Sequence, residues 1–211
     1  MSKIILHLGF LMRFETAKLS PQENYKLLIG GILPRPIAWV SSISADGYVN
    51  LAPFSFFTVA SANPPILCFN PMYDQDAQAK DTLRNIREQG EFVINTVSAS
   101  QLEVMNKSCH NLPHDADEFE YAGIKKAESS FVKPPRVADA VVSFECKLNQ
   151  VVDLGDQTLS GHLILGDVIA VHVDDDAVSN GKINSDKLDA IARMSGNDYS
   201  LTRERVQLSR S

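Results

Sequence analysis

Cysteine is one of the scarce residues of this sequence. The 211 residues contain three cysteines, Cys68, Cys109 and Cys146, which is an odd number at wide spacing with no C-x-x-C pair. This pattern argues against a framework of disulfide bonds and favours a reducing compartment. The cytoplasm is therefore the expected location.

Positive charge and long apolar runs are also in short supply. Lys and Arg number 20 against 26 Asp and Glu, so the formal net charge is −6. A chain without a basic surplus cannot neutralise a phosphate backbone, and nucleic acid is not an expected partner. The apolar stretch from Ile4 to Met12 is broken by His7, too short for a bilayer and without a small-residue cleavage site, so neither a membrane anchor nor a signal peptide is expected.

Several familiar catalytic motifs are missing as well. The sequence has no G-x-G-x-x-G after a strand, no G-x-x-x-x-G-K-[ST], no H-E-x-x-H and no G-x-S-x-G. The segment "CHNLPH" brings Cys109, His110 and His114 close together, but Pro113 breaks the helix that a pair of histidine ligands four residues apart would need. We therefore expect no metal site.

Hydrophobic content, by contrast, is ample. Apolar residues make up 44% of the chain, enough for one substantial core, and the length fits a single domain. We expect residues 1–11 to be a peripheral N-terminal extension and residues 12–211 to form that domain.

The middle and the end of the chain read mainly as β-structure. Residues 36–70 are rich in β-formers and are interrupted by the turn signals "ADG" and "NPP". The segment "VVSFECKLNQVV" alternates apolar residues such as Val142 and Cys146 with polar ones such as Ser143 and Glu145, which predicts a strand with one buried face. "SGHLILGDVIAVHVDD" predicts another long strand, bent near Gly166.

Three short helices are predicted around these strands. "KDTLRNIREQG" has helical spacing and ends at Gly90, while "SQLEVMNKS" opens with a capping box from Ser100 to Glu103. "SDKLDAIARM" offers Ser185 as an N-cap, with Leu188, Ile191 and Ala192 on one face. The expected fold is mainly β, a barrel-like core with a few peripheral helices.

One segment, residues 34–71, is unusual in composition because it holds six of the ten prolines and six aromatic residues. Polar or small residues are interleaved with the apolar ones, and each buried polar group needs a partner; they are Asn50, Pro53, Ser55, Thr58 and Ser61. A bound ligand is one possible partner. The alternative is that these are turn and edge-strand residues satisfied by the backbone.

The "KDT" sequence at Lys80–Thr82 bears on that choice. It opens a helix whose free N–H groups favour an anion, and it adds a positive charge from Lys80 and a hydroxyl from Thr82. A planar aromatic cofactor with a sugar-phosphate tail would suit these features together with the apolar and aromatic run. The alternative is an ordinary helix cap.

Five segments in sequence order carry a resemblance to a known family. They are "YKLLIGGILPRPIAWVSS", "DGYVNLAPFSFFTVASANPP", "KDTLRNI", "DEFEYAG" and "LGDVIAVHVDD". Together they resemble the flavin reductase-like proteins of the FMN-binding split barrel, near the flavoredoxins and the reductase components of two-component monooxygenases. The resemblance implies a homodimer of split β-barrels, with FMN at the subunit interface and NADH or NADPH as the hydride donor.

The resemblance also implies a set of cofactor-binding residues. One strand beside the flavin would contribute Arg35, Ile37, Ala38, Trp39 and Ser41. The opposing segment would contribute Asn50, Ala52, Pro53, Ser55, Phe56, Phe57 and Thr58. Ser61, Lys80 and Thr82 look like phosphate contacts, and "ARMSGNDY" resembles the family's C-terminal region with Arg193 and Tyr199, although Ser195 replaces a glycine there.

Hydride transfer between a nicotinamide and a flavin is chemistry of the cofactors, so no general acid or base is required. His162 and His172 are expected to be strand residues with hydrogen-bonded rings. The implied activity is an NAD(P)H:FMN oxidoreductase that supplies reduced flavin to a monooxygenase or another electron acceptor. Two alternatives stay open at this point: an FMN-binding electron carrier that never meets a nicotinamide, and a flavin-free split-barrel interaction module.

Overall fold

The computed structural model describes residues 6–8 and 11–209. The strands are β1 Leu6–Leu8, β2 Leu11–Arg13, β3 Arg35–Pro36, β4 Ala38–Ile43, β5 Val49–Phe54, β6 Phe57–Ala62, β7 Pro65–Phe69, β8 Glu91–Asn95, β9 Lys126–Ala127, β10 Arg136–Val137, β11 Val142–Asp153, β12 His162–Val173, β13 Val178–Ser179, β14 Lys182–Ile183, β15 Ile191–Arg193 and β16 Tyr199–Leu201. The α-helices are α1 Pro21–Gly31, α2 Asp81–Gln89, α3 Leu102–Lys107, α4 Glu118–Ala122 and α5 Ser185–Leu188, with 3-10 turns at Thr16–Lys18, Ala99–Gln101 and Asp175–Ala177.

Seven strands form one antiparallel sheet in the order β5-β4-β8-β11-β12-β7-β6. Phe54 on one edge strand and Phe57 on the other pack against the same hydrophobic cluster, so the sheet curls toward closure. Within the described residues, no hydrogen-bonded pairing joins the two edges. The predicted fold, mainly β with peripheral helices in a split barrel, is confirmed.

Strand β4 is buried on both of its faces. Ala38 and Val40 point into the barrel core, whereas Trp39, on the opposite face, belongs to a second core beneath α3, α4 and β15. The first core is the interior of the barrel. The second lies outside the barrel and is covered by α3, α4 and β15. A strand between two cores has no side-chain face left for a surface groove.

Helix α2 packs its apolar side into the barrel core. Leu83 and Ile86 are fully buried there, at about 1.5 to 3 kcal/mol of stabilisation for each side chain. Gly90 ends the helix with a φ of 70°, a left-handed conformation that suits glycine. The prediction of this helix and of its C-cap is confirmed.

The alternation predicted for β11 is only half right. Val142 and Cys146 are buried as expected, but Ser143 and Glu145, predicted on an exposed face, are buried too. The segment 129–137 covers that face and donates backbone N–H groups to the Glu145 carboxylate. The alternation within one strand gives no information about a separate segment that packs over its outer face.

Gly166 on β12 lies opposite Leu148 at a register shift of the β11–β12 hairpin. A Cβ atom at this glycine would lie 2.3 Å from Cζ of Phe92, closer than real contacts allow. The bend predicted near Gly166 coincides with this irregularity. Glycine is required here because the Phe92 ring occupies the space of a side chain.

Two predicted helix boundaries are wrong. The capping box before α3 joins Ser98 and Gln101 instead of Ser100 and Glu103. Helix α5 is capped by Asn184 and stops at Leu188, so Ile191 and Ala192 belong to a strand instead. That strand pairs with β3 and β16, and this long-range pairing overrides the local helical spacing.

The predicted boundary between residues 11 and 12 falls inside a hairpin. Leu6–Leu8 pairs antiparallel with Leu11–Arg13. The remaining residues of the predicted extension, 1–5 and 9–10, lie outside the described residues. None of the helices in the described part of the chain is both long and apolar enough to cross a lipid bilayer.

Candidate functional site

A groove lies where the end of β5 meets the start of α2. It consists of three cavities of about 610, 350 and 270 Å³, and Pro53 lines all three. We call them the large, inner and side cavities. The large cavity is bordered by aromatic residues such as Tyr25, Phe56 and Tyr73, together with Asp74 and Lys80.

The inner cavity is bounded by the N-terminus of α2. Lys80 is the N-cap residue and its side chain does not cap the helix; its Nζ donates to Oδ1 of Asn111 at 3.3 Å. Since the first N–H groups of a helix have no acceptor within it, Asp81 and Thr82 present theirs at this end. An anion in the inner cavity would meet these groups, the Lys80 ammonium and the Thr82 hydroxyl.

A buried polar layer supports this end of the groove. Nδ2 of Asn50 donates to Oγ1 of Thr82 at 2.8 Å, and Nδ2 of Asn85 donates to Oγ of Ser42 at 3.2 Å. Oδ1 of Asn85 has no partner among the described residues. Asn50 and Thr82, both singled out for a ligand, are thus hydrogen-bonded to each other while they line the cavity, and the Thr82 O–H is not used by this bond.

Three carboxyl groups also line the inner cavity, those of Asp74, Asp81 and Glu118. Asp81 forms an ion pair with Arg84, and its Oδ1 lies 3.2 Å from Nδ1 of His114. Glu118 is 7% exposed and accepts a hydrogen bond from the N–H of Leu51 at 3.0 Å. Burial raises the pKa of the Glu118 carboxyl above its usual value.

The side cavity is narrower and lies toward β15. It is lined by Ile37, Ser55, Met105, Asn106, Cys109, Arg193 and Tyr199 in addition to Pro53. The Arg193 guanidinium stacks 4.6 Å from the centre of the Tyr199 ring and donates to the carbonyl of Gly196. The resembling C-terminal region therefore does reach the groove.

Arg35, predicted beside the flavin, is buried and bonded within the protein. Its guanidinium donates to the carbonyls of Ile29 and Ile32 at 2.7 and 2.9 Å and to that of Met194 at 2.9 Å. Its Nε approaches Oγ of Ser55 at 3.4 Å. The side chain ties the end of α1 to the C-terminal segment, and these bonds occupy the donors that a ligand would need.

Three further predicted residues have their side chains in the protein core. Ala38 lies in the barrel core, Nε1 of Trp39 donates to Oγ of Ser108 at 2.9 Å, and Oγ of Ser41 donates to the carbonyl of Pro135. All three are fully buried. None of these three side chains lines the groove, because β4 lies between two cores.

The remaining predicted residues divide into two groups. The groove is lined by Ile37, Asn50, Ala52, Pro53, Ser55, Phe56, Lys80, Thr82 and Arg193. Phe57, Thr58 and Ser61 lie on the edge strand β6, away from the three cavities. Sequence reasoning missed Tyr25, Tyr73, Asp74, Asn111 and Glu118; Tyr25 and Glu118 fall within the quoted segments, but no spacing marked them as groove residues.

Both strand histidines have hydrogen-bonded rings, as predicted. Nδ1 of His162 lies 2.6 Å from Oδ1 of Asp153, and Nε2 of His172 lies 2.5 Å from Oε1 of Glu145. His162 is buried with its ring edge against Tyr73, and its Nε2 has no partner within the described chain. The hydrogen bond from His162 keeps the pKa of Asp153 below its usual value.

The residues of the "CHNLPH" segment do not converge. His114 contacts Asp81 and Arg84, whereas Nδ1 of His110 lies 2.8 Å from the carbonyl of Lys107. Across the described ranges, 6–8 and 11–209, no group of three or more His, Cys, Asp or Glu side chains is arranged to hold a metal ion.

One face near the groove is apolar and open to solvent. Helix α1 has no buried residue among those described, and Leu28 and Ile32 are 60% and 63% exposed. Val59 on the edge strand β6 is 66% exposed, and Tyr25 of α1 contacts the ring of Phe56. We call Leu28, Ile32 and Val59 the open apolar residues.

Comparison with known proteins gives consistent matches. Residues 30–187 match the model of the flavin reductase like domain. Uncharacterized protein BH2278 of Halalkalibacterium halodurans is 38% identical over 201 residues, which are 94% of this chain and 96% of that protein. Among solved structures, nitrilotriacetate monooxygenase component B of Bacillus cereus superposes with a TM-score of 0.90 at 32% identity, covering 95% of this chain and 100% of the other. The 2-nitrobenzoate 2-nitroreductase NbaA of Pseudomonas fluorescens gives a TM-score of 0.85 at 27% identity, covering 94% and 96%.

Proposed function

The chain belongs to the flavin reductase-like family, and on that premise we propose that it is an NAD(P)H:FMN oxidoreductase. The observation that carries the proposal is the groove itself. A helix N-terminus with Lys80 and Thr82 opens onto the same space as the apolar and aromatic residues Pro53, Phe54 and Phe56. One end of the groove suits a phosphate and the other suits a planar ring system.

The residues present fit FMN in size and in chemistry. Ligand pockets usually measure about 300 to 1,000 Å³, and the large and inner cavities fall within that range at about 610 and 350 Å³. Lys80, Thr82 and the first N–H groups of α2 would hold the phosphate, while Pro53 and Phe56 would contact the rings. When bound, FMN supplies the hydride-accepting chemistry that this reaction needs.

The chain's own part in the reaction is positioning. Pro53 and Phe56 present rigid, apolar surfaces that exclude water from one side of the groove, and Ser55 adds a hydroxyl. Since hydride transfer needs no general acid or base from the protein, we assign no proton-transfer residue. His162 is a structural residue in this proposal, held by Asp153.

We also propose a homodimer with the cofactor near the subunit interface. The open apolar residues Leu28, Ile32 and Val59 are on or next to elements near the groove, since Tyr25 of α1 lines the large cavity and β6 directly follows Phe56. Soluble monomers seldom expose large apolar patches. A two-fold partner would cover them and build two equivalent sites. Sedimentation of flavin-loaded and flavin-free chain over a dilution series tests this: we expect the loaded form to dissociate at lower concentration, and a monomer with one FMN per chain would contradict it.

The resemblance to nitrilotriacetate monooxygenase component B supports a role in supplying reduced flavin to a partner oxygenase or to another electron acceptor. The absence of a C-x-x-C pair and the odd number of cysteines support a cytoplasmic site of action.

A second candidate function, an FMN-binding electron carrier, is favoured by one observation. The charged residues that line the large cavity are Asp74, Asp76 and Lys80, so the described lining offers a single cation. If Lys80 holds the phosphate of FMN, no positive side chain of this lining remains for the diphosphate of a nicotinamide dinucleotide. A carrier that never binds such a molecule would not need one.

One experiment separates the two functions. The purified full-length chain is loaded with FMN, mixed with NADH or NADPH without oxygen, and followed by the visible flavin absorbance. Rapid bleaching with either nicotinamide supports the oxidoreductase. Bleaching by dithionite but by neither nicotinamide would support the FMN-binding electron carrier. A chain that binds no flavin would support the flavin-free interaction module.

A further inference from the structure

Glu118 is a buried carboxyl in the cavity assigned above to the phosphate. It is the first residue of α4, and the helix is capped by the side chain of Asp117, which accepts from the N–H groups of Phe119 and Glu120. Glu118 therefore has no capping role. Its side chain reaches β5, where Oε2 accepts the N–H of Leu51 at 3.0 Å.

The same carboxyl lines the inner cavity together with Lys80 and Thr82. Within the described chain, Leu51 is the one other residue that donates a hydrogen bond to it, the backbone N–H of Glu118 itself contributes another, and no cation is paired with it. A carboxylate in this position is poorly compensated, because a buried charge needs several donors or a counter-ion. A further hydrogen-bond donor or a proton can reach the Glu118 carboxyl from the cavity that it lines.

The charges around Glu118 are mainly negative. The titratable and charged groups that face the inner cavity are Asp74 from the loop after β7, Lys80 and Asp81 at the start of α2, and Cys109 and His110 after α3, with Asp117 adjacent in the chain. Burial is the largest cause that raises the pKa of Glu118, and the charges of Asp81 and Asp117 raise it further. The hydrogen bonds from the backbone N–H groups of Glu118 itself and of Leu51 lower this pKa.

A phosphate in the same cavity adds to this effect. A phosphate monoester carries close to two negative charges above its second pKa of about 6, and like charges in one desolvated site disfavour each other. A neutral carboxyl, by contrast, keeps one oxygen as an acceptor for Leu51 and gains an O–H donor for a phosphate oxygen.

We propose that Glu118 couples the binding of FMN to the uptake of a proton, so that the flavin phosphate is accepted by the neutral carboxyl and disfavoured by the carboxylate. This inference rests on the proposed function, in which the phosphate of FMN occupies the inner cavity beside Lys80 and Thr82. It makes Glu118 a specificity residue for phosphorylated flavins and makes FMN affinity depend on pH.

Calorimetric titration of FMN into the flavin-free, full-length chain at pH 8 tests the coupling. The phosphate is then already a dianion, so protons taken up belong to the protein. Two buffers of different ionisation enthalpy give the proton count, and we expect uptake of roughly half to one proton for the wild type. The Kd for FMN should rise about threefold to tenfold per unit between pH 7 and 8.5.

Glu118→Gln is the matched variant, because the amide oxygen still accepts the Leu51 N–H. We expect it to keep the wild-type melting temperature, to lose the proton uptake, and to bind FMN at pH 8 about threefold to tenfold more tightly than the wild type. Riboflavin, which has no phosphate, should bind both proteins alike. Glu120→Gln, two residues further on an exposed part of α4, should behave as the wild type.

The outcomes separate this inference from the proposed function. Equal proton uptake in the wild type and Glu118→Gln, or weaker FMN binding by the variant at every pH, would overturn the role of Glu118 while leaving FMN binding intact. No binding of FMN by the wild type would overturn both. A riboflavin affinity that changes as much as the FMN affinity would show that Glu118 acts on the ring site, which also contradicts the proposal.

Discussion

Two buried glutamates, Glu145 behind the sheet and Glu118 in the groove, receive different numbers of hydrogen bonds from the rest of the protein. Glu145 accepts hydrogen bonds from the N–H groups of three successive residues, at 2.7, 2.6 and 3.1 Å, and lies 2.5 Å from the His172 ring. Glu118 accepts a hydrogen bond from one other residue, Leu51, and one from its own backbone N–H. Burial is nearly the same for both side chains.

The two carboxyls respond in opposite ways. For Glu145, burial acts to raise the pKa, but the N–H donors and His172 outweigh it, and the pKa lies below its usual value. For Glu118, burial prevails and the pKa is raised. The comparison teaches that the number of donors, rather than depth alone, separates a structural carboxylate from one left available for a ligand.

Two positively charged residues, Arg35 and Lys80, differ in the same way in the number of their hydrogen-bond partners. Arg35 has its guanidinium bonded to three carbonyls of neighbouring segments, whereas Lys80 has a single neutral partner in Asn111. We therefore expect substitutions in the groove to change ligand affinity. Substitutions of the internally bonded residues should instead change the free energy of unfolding.

The largest effect is expected for Glu145→Gln. The change removes a buried charge and leaves backbone N–H groups of residues 130–132 without their full set of acceptors. We expect the free energy of unfolding to fall by about 3 kcal/mol, measured by urea denaturation at pH 7. Glu118→Gln in the same assay should lose less than about 1 kcal/mol, since the amide oxygen still accepts the hydrogen bond from Leu51.

The pH dependence provides an independent check on Glu145. A carboxyl whose folded pKa is lowered contributes stability above its ordinary pKa, here 4.5, and loses it as the pH falls through the folded value. The stability gap between the wild type and Glu145→Gln should therefore be complete above about pH 5 and should narrow below pH 4.5. A gap that stays constant down to pH 3 would contradict the assignment.

Lys80→Ala tests the groove side. Loss of a charge-assisted contact of about 1.5 to 3 kcal/mol should weaken FMN roughly tenfold to a hundredfold, measured by fluorescence titration, with little change for riboflavin. Lys125→Ala, at an exposed lysine, is the control. An equal loss for both flavins would show that Lys80 acts on the ring site or on the fold.

Gly166→Ala tests the packed sheet without any change of charge. The new Cβ would overlap the Phe92 ring, at 2.3 Å from its Cζ, so we expect a loss of about 1 to 3 kcal/mol in the free energy of unfolding. Gly30→Ala in α1 is the control, since its Cβ meets nothing within 4 Å; it should be neutral or slightly stabilising. If both changes lowered the free energy of unfolding by the same amount, the overlap with Phe92 would not be the cause of the loss.

The smallest effect is expected from removal of residues 1–11. These residues precede the segments that resemble the family, and the first residues of a domain usually contribute little unless they are tied down. We expect flavin content to stay the same and the melting temperature to change by less than about 2 °C in a chain that starts at Met12. A large drop would show that the segment docks on the domain or on a partner subunit.

Local signals predicted several elements correctly. The position of α2 with Gly90 as its cap, the long strands β11 and β12, and the concentration of groove residues between Asn50 and Phe56 could all be read from the sequence. Each depends on residues near one another in the chain, where helical spacing, alternation and turn chemistry act directly.

Other placements depend on distant parts of the chain. The resemblance implied Arg35, Trp39 and Ser41 as cofactor residues, and in the fold all three side chains are buried and hydrogen-bonded within the protein. The partners that bury them, Met194, Ser108 and Pro135, are 159, 69 and 94 residues away. Ile191 likewise joined a strand because β3 and β16 pair with it.

The sequence by itself determined the family, the mainly β fold and the start of a helix at "KDT", because these are carried by contiguous motifs and by local backbone preferences. Tertiary structure alone decided which side of each strand is covered and how many donors each buried charge receives. Glu145 and Glu118 have the same side chain, and no local pattern distinguishes them. Their difference arises because the segment 129–137 folds over one carboxyl, whereas a cavity is left beside the other.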